Sequence, residues 1–125
     1  MAREIFVDYD GTISLDHFPK PQITPPNSSC IETINGLYDA GFKIVIYSCR
    51  ANPEIQLYDP TGQNRDRETL SQEATQEMIE YLNKHGIKYH EIRRDKPLYT
   101  YLIDDRAGFD GKDWDGVLKN ILKRL

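Results

Sequence analysis

The sequence predicts an α/β fold, a Rossmann-like three-layer sandwich around a central, mostly parallel sheet of four or five strands. Three observations predict it. Short apolar runs alternate with amphipathic segments along the chain, the pattern of repeated βαβ units. The run KIVIYS at 43–48 is almost continuously apolar, as in a strand covered on both faces. Acidic residues stand where two of the runs stop, at Asp8 and at Asp104 with Asp105, and open α/β sheets bind ligands outside the carboxyl ends of their strands.

The elements follow in order. EIFVD at 4–8 is the first strand. Ser29 followed by Glu32 reads as a capping box, with Ile31, Ile34, Leu37 and Tyr38 on one helical face, so a helix is expected over 29–40, ending at Gly41. Residues 43–48 form the second strand. From Ala51 to Arg67 the chain carries Pro53, Pro60 and Gly62 without any period. A loop of that length in a small domain is commonly functional, and it is expected to rim a site. Leu70, Ala74, Met78 and Leu82 recur every four residues before Gly86, which predicts a second helix. IKYHEI at 87–92 and YTYLID at 99–104 read as the third and fourth strands. Asp113 can cap a last helix whose Val117, Leu118, Ile121, Leu122 and Leu125 are expected to face the sheet.

At 125 residues the chain reads as a single domain, 1–125, able to bury roughly two thirds of its unfolded surface without a metal or disulfide staple. Cys30 and Cys49 show no metal spacing and no disulfide framework, and the start MAREIFVDYD has no long apolar region. A reducing, cytoplasmic setting is expected. No stretch reaches membrane-spanning length, so no membrane partner is expected. Sixteen Lys plus Arg against twenty Asp plus Glu leave a net charge of −4, which argues against a broad nucleic-acid footprint but not a local one.

The acids carry the chemistry. Asp8, Asp104 and Asp105 are expected at one sheet edge, with Ser48 closing the second strand and Lys96 just before the fourth. Crowded carboxylates repel unless a cation sits among them, and an all-oxygen donor set suits Mg²⁺. Mg²⁺ in turn favours a phosphate ligand, whose remaining oxygens a hydroxyl and an ammonium can meet. One Asp can then attack phosphorus as a covalent nucleophile while a second, two residues on, moves protons.

Asp8, Asp10, Gly11 and Thr12 spell DxDGT; Ser48, Lys96 and Asp104 with Asp105 follow in order. This set resembles the haloacid-dehalogenase-like phosphohydrolases. The resemblance implies Asp8 as nucleophile and Asp10 as the acid that protonates the leaving group and then activates water. It implies Thr12, Ser48 and Lys96 on the phosphoryl group, and Mg²⁺ held by Asp8, Asp10, Asp104 and Asp105. Asp10 points within that family to a phosphatase or phosphotransferase, because the dehalogenase branch lacks an acid there and the ATPase branch has Thr. Arg50 either clamps a substrate phosphate or pairs with a nearby acid. Residues 14–28 and 93–95, where the family inserts cap domains, are too few for one, so the fold is expected to be capless and the site open. A second subunit supplying the lid would make the protein a homo-oligomer.

Ser48-Cys49-Arg50 together with Asp104-Asp105-Arg106 also resembles the phosphatase half of phage-type polynucleotide kinase/phosphatases, which act on nucleic-acid ends. The acidic composition and the absence of a P-loop depart from that pattern. The expected partner is thus a phosphorylated substrate, either a small molecule or a nucleic-acid end. A non-catalytic phosphate-binding or signalling module is the rival class. Receiver domains use similar residues, but in them the adjacent acid pair follows the first strand, whereas here it comes last. His17, His85 and His90 lack mutual metal spacing, and Tyr99, Tyr101 and Trp114 are expected to pack in the core.

Overall fold

The computed structural model describes residues 3–17, 20–55, 59–99 and 101–124. Three strands form one parallel sheet in the order β1-β2-β3: β1 Glu4–Asp8, β2 Lys43–Tyr47 and β3 Glu91–Arg93. Two helices connect them, α1 Ser28–Asp39 and α2 Arg67–Lys84, and a third, α3 Trp114–Leu122, closes the chain. Parallel neighbours joined in sequence require right-handed crossovers, which put successive helices on the same face when the strand order runs one way. The core agrees. Val7, Ile46 and Ile92 are in register across the sheet. With Ile5 and Ile44 they pack against Ile34 of α1 and Met78, Tyr81 and Leu82 of α2.

The expected sheet of four or five strands is corrected to three among the described residues. Leu102 and Ile103 are 48% and 42% exposed and join no ladder; Thr100, within the same expected strand, lies outside the described residues. An apolar run becomes a strand only when a partner edge accepts its backbone, and here the chain instead turns at Asp104 into a short 3₁₀ turn, Asp105–Ala107. The last helix is correctly placed, and Asp113 caps it by accepting from the Gly116 amide at 3.0 Å. It does not bury its apolar stripe as expected: no α3 residue is buried, and Leu118 and Leu122 are more than half exposed. Leu125 is outside the described residues. The third layer of the sandwich is therefore not built by the described residues. Trp114 is 57% and Tyr99 41% exposed, so neither is a core residue.

Smaller corrections have local causes. α1 begins at Ser28 with Asn27 as its cap position and no side-chain capping bond, so the Ser29–Glu32 box does not form. β3 starts at Glu91 instead of 87, because Ile87 donates back to the Leu82 carbonyl to close α2 and the His90 ring accepts the Ile44 amide at 3.0 Å. A side chain thus occupies a ladder position. No helix of the described residues is long and apolar enough to cross a membrane.

Candidate functional site

β1 ends at Asp8, and the chain then reverses around Tyr9. The amides of Thr12, Ile13 and Ser14 all donate to the Tyr9 carbonyl, and Gly11 donates to Ser14 at 2.7 Å. Tyr9, Ile13 and Ser14 are fully buried, which leaves Asp8 and Asp10 at the rim of a turn anchored from below. Gly11 sits at φ +79°, and a Cβ there would meet the His17 ring at 2.6 Å. The left-handed backbone conformation favours glycine, and an added Cβ would make the His17 ring shift.

Asp8 is engaged on both oxygens: Lys96 Nζ donates to Oδ1 at 2.5 Å and Thr12 Oγ1 donates to Oδ2 at 3.0 Å. Lys96 is only 9% exposed. Burial works against its charge, but the Asp8 carboxylate and the Tyr99 hydroxyl outweigh it and raise its pKa above the usual lysine value. It is an ammonium at neutral pH. The loop after β3 places it there, and Asn52, buried, donates to the Lys96 carbonyl at 3.1 Å.

Asp10 is gripped by Arg50. Nε donates to both carboxylate oxygens at 3.0 and 3.1 Å, and Nη2 donates to Oδ1 at 2.5 Å. The guanidinium is almost fully buried, over the Tyr9 ring at 5.5 Å. Of the two expectations for Arg50, pairing with a nearby acid is what this structure contains. Ser48, 1% exposed, accepts from the Arg50 amide at 3.0 Å and donates its own amide to Arg93 at the end of β3. Between them, burial pushes the Cys49 thiol up; Lys96 lowers it, and Asp10 and Asp8 raise it. Cys49 is thus a neutral thiol among the site residues, not a thiolate nucleophile.

The structure therefore brings Asp8, Asp10, Thr12, Ser48, Arg50 and Lys96 to one end of the sheet. Asp104 is elsewhere engaged, half-buried and accepting from the Arg106 amide at 2.8 Å; Asp105 is exposed. Among the described residues, no group of three or more His, Cys, Asp and Glu side chains stands close enough to hold a cation. The donor chemistry of Asp8 and Asp10 suits Mg²⁺, but their charge is already balanced by Lys96 and Arg50. As arranged, the described residues do not fit the four-carboxylate metal set.

Sequence reasoning missed three contributors. Asn52 ties the loop after β2 to Lys96, and its Oδ1 accepts from the Glu54 amide at 2.9 Å, an Asx turn that the spacing Asn52-Pro53-Glu54 could have signalled. Tyr47 and Tyr99 flank Lys96, with ring centres 6.0 and 5.1 Å from Nζ; the strand alternation that puts Tyr47 on the face of Asp8 was legible. Of the loop expected to rim the site, residues 56–58 lie outside the described residues, and in its second half Asp59 accepts from Thr61 and Arg65, and Arg65 reaches Glu73 of α2.

No protein-family model matches the chain, and no curated protein matches it in sequence. Among solved structures it is similar to a structural-genomics target from Vibrio cholerae, with a TM-score of 0.63 and 22% identity over 98% of this chain and 99% of that one. At that identity the likeness is one of fold, an α/β arrangement held in common over nearly the whole of both chains.

Proposed function

We propose that the chain is a phosphatase of the haloacid-dehalogenase-like kind, hydrolysing a phosphate monoester through an aspartyl-phosphate at Asp8. The observation that carries this reading is the Asp8–Lys96 pair at a strand end, with Asp10 two residues on and held by its own cation. Asp8 attacks phosphorus, forming the Asp8–phosphorus bond as the ester oxygen leaves and takes a proton from Asp10. Water then attacks the same phosphorus, Asp10 takes its proton, and Asp8 and inorganic phosphate are released. Lys96 moves its donors from the carboxylate to the phosphoryl oxygens, and the Thr12 hydroxyl orients the attacking group. Because Arg50 satisfies both oxygens of Asp10, Asp10 exchanges a proton only when one of those bonds is displaced.

Mg²⁺ is the cofactor proposed, and it would require a rearrangement of the site as described, with Asp8 and Asp10 released from Lys96 and Arg50 and Asp104 or Asp105 brought to them. When bound, it would neutralise charge developing on the phosphoryl oxygens. The pairing of both site acids with cations favours a second reading, a non-catalytic phosphate-binding module. Phosphate release from a panel of sugar phosphates, nucleotides and phosphorylated oligonucleotides, with MgCl₂ present and Asp8→Asn as control, separates the two. Turnover lost in Asp8→Asn supports the phosphatase. Binding of inorganic phosphate with no turnover of any ester supports the module.

A further inference from the structure

We propose that the sheet face beside Asp8 is a base-stacking platform, so that the phosphate ester taken by the site is a nucleoside phosphate. This rests on the reading of Asp8 and Lys96 as a phosphate site and adds the chemical class of the group that carries the phosphate.

The parallel register sets Asp8, Tyr47 and Arg93 in one row across the three strands. Phe6, two residues before Asp8, lies on the same face. Phe6 and Tyr47 meet edge to face with ring centres 5.2 Å apart. The Arg93 guanidinium carbon lies 5.4 Å from the Phe6 ring centre and 5.8 Å from that of Tyr47. Lys96, bonded to Asp8 at 2.5 Å, stands 5.1 Å from the ring of Tyr99 on its other side. None of Phe6, Tyr47 and Tyr99 belongs to the hydrophobic core cluster, and Phe6 and Tyr99 are 42% and 41% exposed.

Half-open rings interleaved with cations suit nucleobases, which stack on aromatic faces and on guanidinium planes with little dependence on base identity. The spacing argues for a nucleoside rather than a simple aryl ester. Phe6 is two residues along β1 from Asp8, about 6–7 Å by the rise of a strand. A ring bonded directly to the ester oxygen stays beside Asp8, whereas a ribose between phosphate and base spans that distance. The net charge of −4 disfavours a polyanion, so the occupant is a free nucleotide.

The test compares kcat/KM for adenosine 5′-monophosphate and ribose 5-phosphate, together with the calorimetric Kd of each for Asp8→Asn. The nucleotide should be preferred by more than tenfold in both measurements. Phe6→Leu with Arg93→Gln should bring the ratio near one, while Tyr99→Phe, which keeps the ring, should preserve it. Should Phe6→Leu unfold the chain, Arg93→Gln alone, on a half-exposed side chain, carries the same comparison. A 5′-phosphorylated dinucleotide is run in parallel; a higher kcat/KM for it than for the mononucleotide would overturn the free nucleotide as the occupant. A wild-type ratio near one, or one unmoved by the variants, overturns the platform even where both esters are hydrolysed, and leaves the phosphatase reading standing. Tenfold tighter nucleotide binding without hydrolysis of either ester supports the platform and favours the phosphate-binding module over the phosphatase.

Discussion

Asp8 and Asp10 are chemically identical side chains two residues apart, and their partners divide the labour between them. Lys96 and Thr12 hold Asp8 from two sides, while Arg50 holds Asp10 in a fork. Asp8→Asn is expected to abolish turnover, because no covalent intermediate can form. Asp10→Asn should retain phosphate binding and slow both half-reactions by roughly 10²- to 10⁴-fold. Steady-state kinetics with trapping of the acyl phosphate by hydroxylamine checks this, and equal residual activity in the two variants would mean the roles are wrongly assigned. Gly11 supports both acids. Gly11→Ala must adopt φ +79° and push against His17; the left-handed conformation alone costs about 1–2 kcal/mol. Denaturant midpoints should fall accordingly, and an unchanged midpoint would show that the turn relaxes freely.

At the scale of elements, two loops are held by single acids. Asp66 caps α2, accepting from the Thr69 amide at 2.8 Å and from its hydroxyl at 3.0 Å. Asp66→Ala should cost about 1 kcal/mol, read as a Tm lowered by about 3–5 °C for a chain of this size; no shift would mean that water replaces the cap at no cost. Asp16 binds the segment ahead of α1, accepting from the Ile23 and Thr24 amides at 2.8 and 2.6 Å. Those bonds, Thr24 first, hold its pKa below the ordinary 3.8. A depressed carboxylate contributes stability that is complete above its unfolded pKa and lost as pH falls through the folded one. Asp16→Asn should therefore flatten the acid limb of the stability profile below about pH 4, measured by urea midpoints from pH 2 to 7. An identical limb in the variant would assign acid sensitivity to other carboxylates.

At the scale of the whole molecule, the described residues leave one face of the sheet without the helical layer that the sequence pattern calls for, and Asp104 and Asp105 form no cation-holding group with Asp8 and Asp10. The proposed Mg²⁺ requirement tests whether the two regions act together. Chelation should abolish hydrolysis, and added Mg²⁺ should raise Tm as any ligand of the folded state does. Undiminished activity in excess chelator would remove the metal from the mechanism. A Mg²⁺-dependent rise in Tm that Asp104→Asn abolishes would place the C-terminal segment in the metal site.

Patterns that are local in the chain were legible without the structure. β1 and β2 were evident from apolar runs, α2 from its four-residue repeat and Asp113 as a helix cap, because backbone geometry converts such spacings directly into faces and ends. The site residues of the first half of the chain, from Asp8 to Arg50, were legible because neighbouring strand ends in a parallel sheet lie side by side. Tertiary structure alone decided what the partners do: that Arg50 turns to Asp10, that the His90 ring accepts the Ile44 amide while the His90 amide donates to the Ile44 carbonyl, and that Tyr47 and Tyr99 flank Lys96. It also decided that 101–104 is not a strand and that α3 keeps Leu118 and Leu122 exposed. The physical reason is that a helix face or an ion pair needs only neighbours that the sequence supplies, whereas a sheet edge and a third layer exist only when a distant segment docks, and that free energy is written in no local spacing.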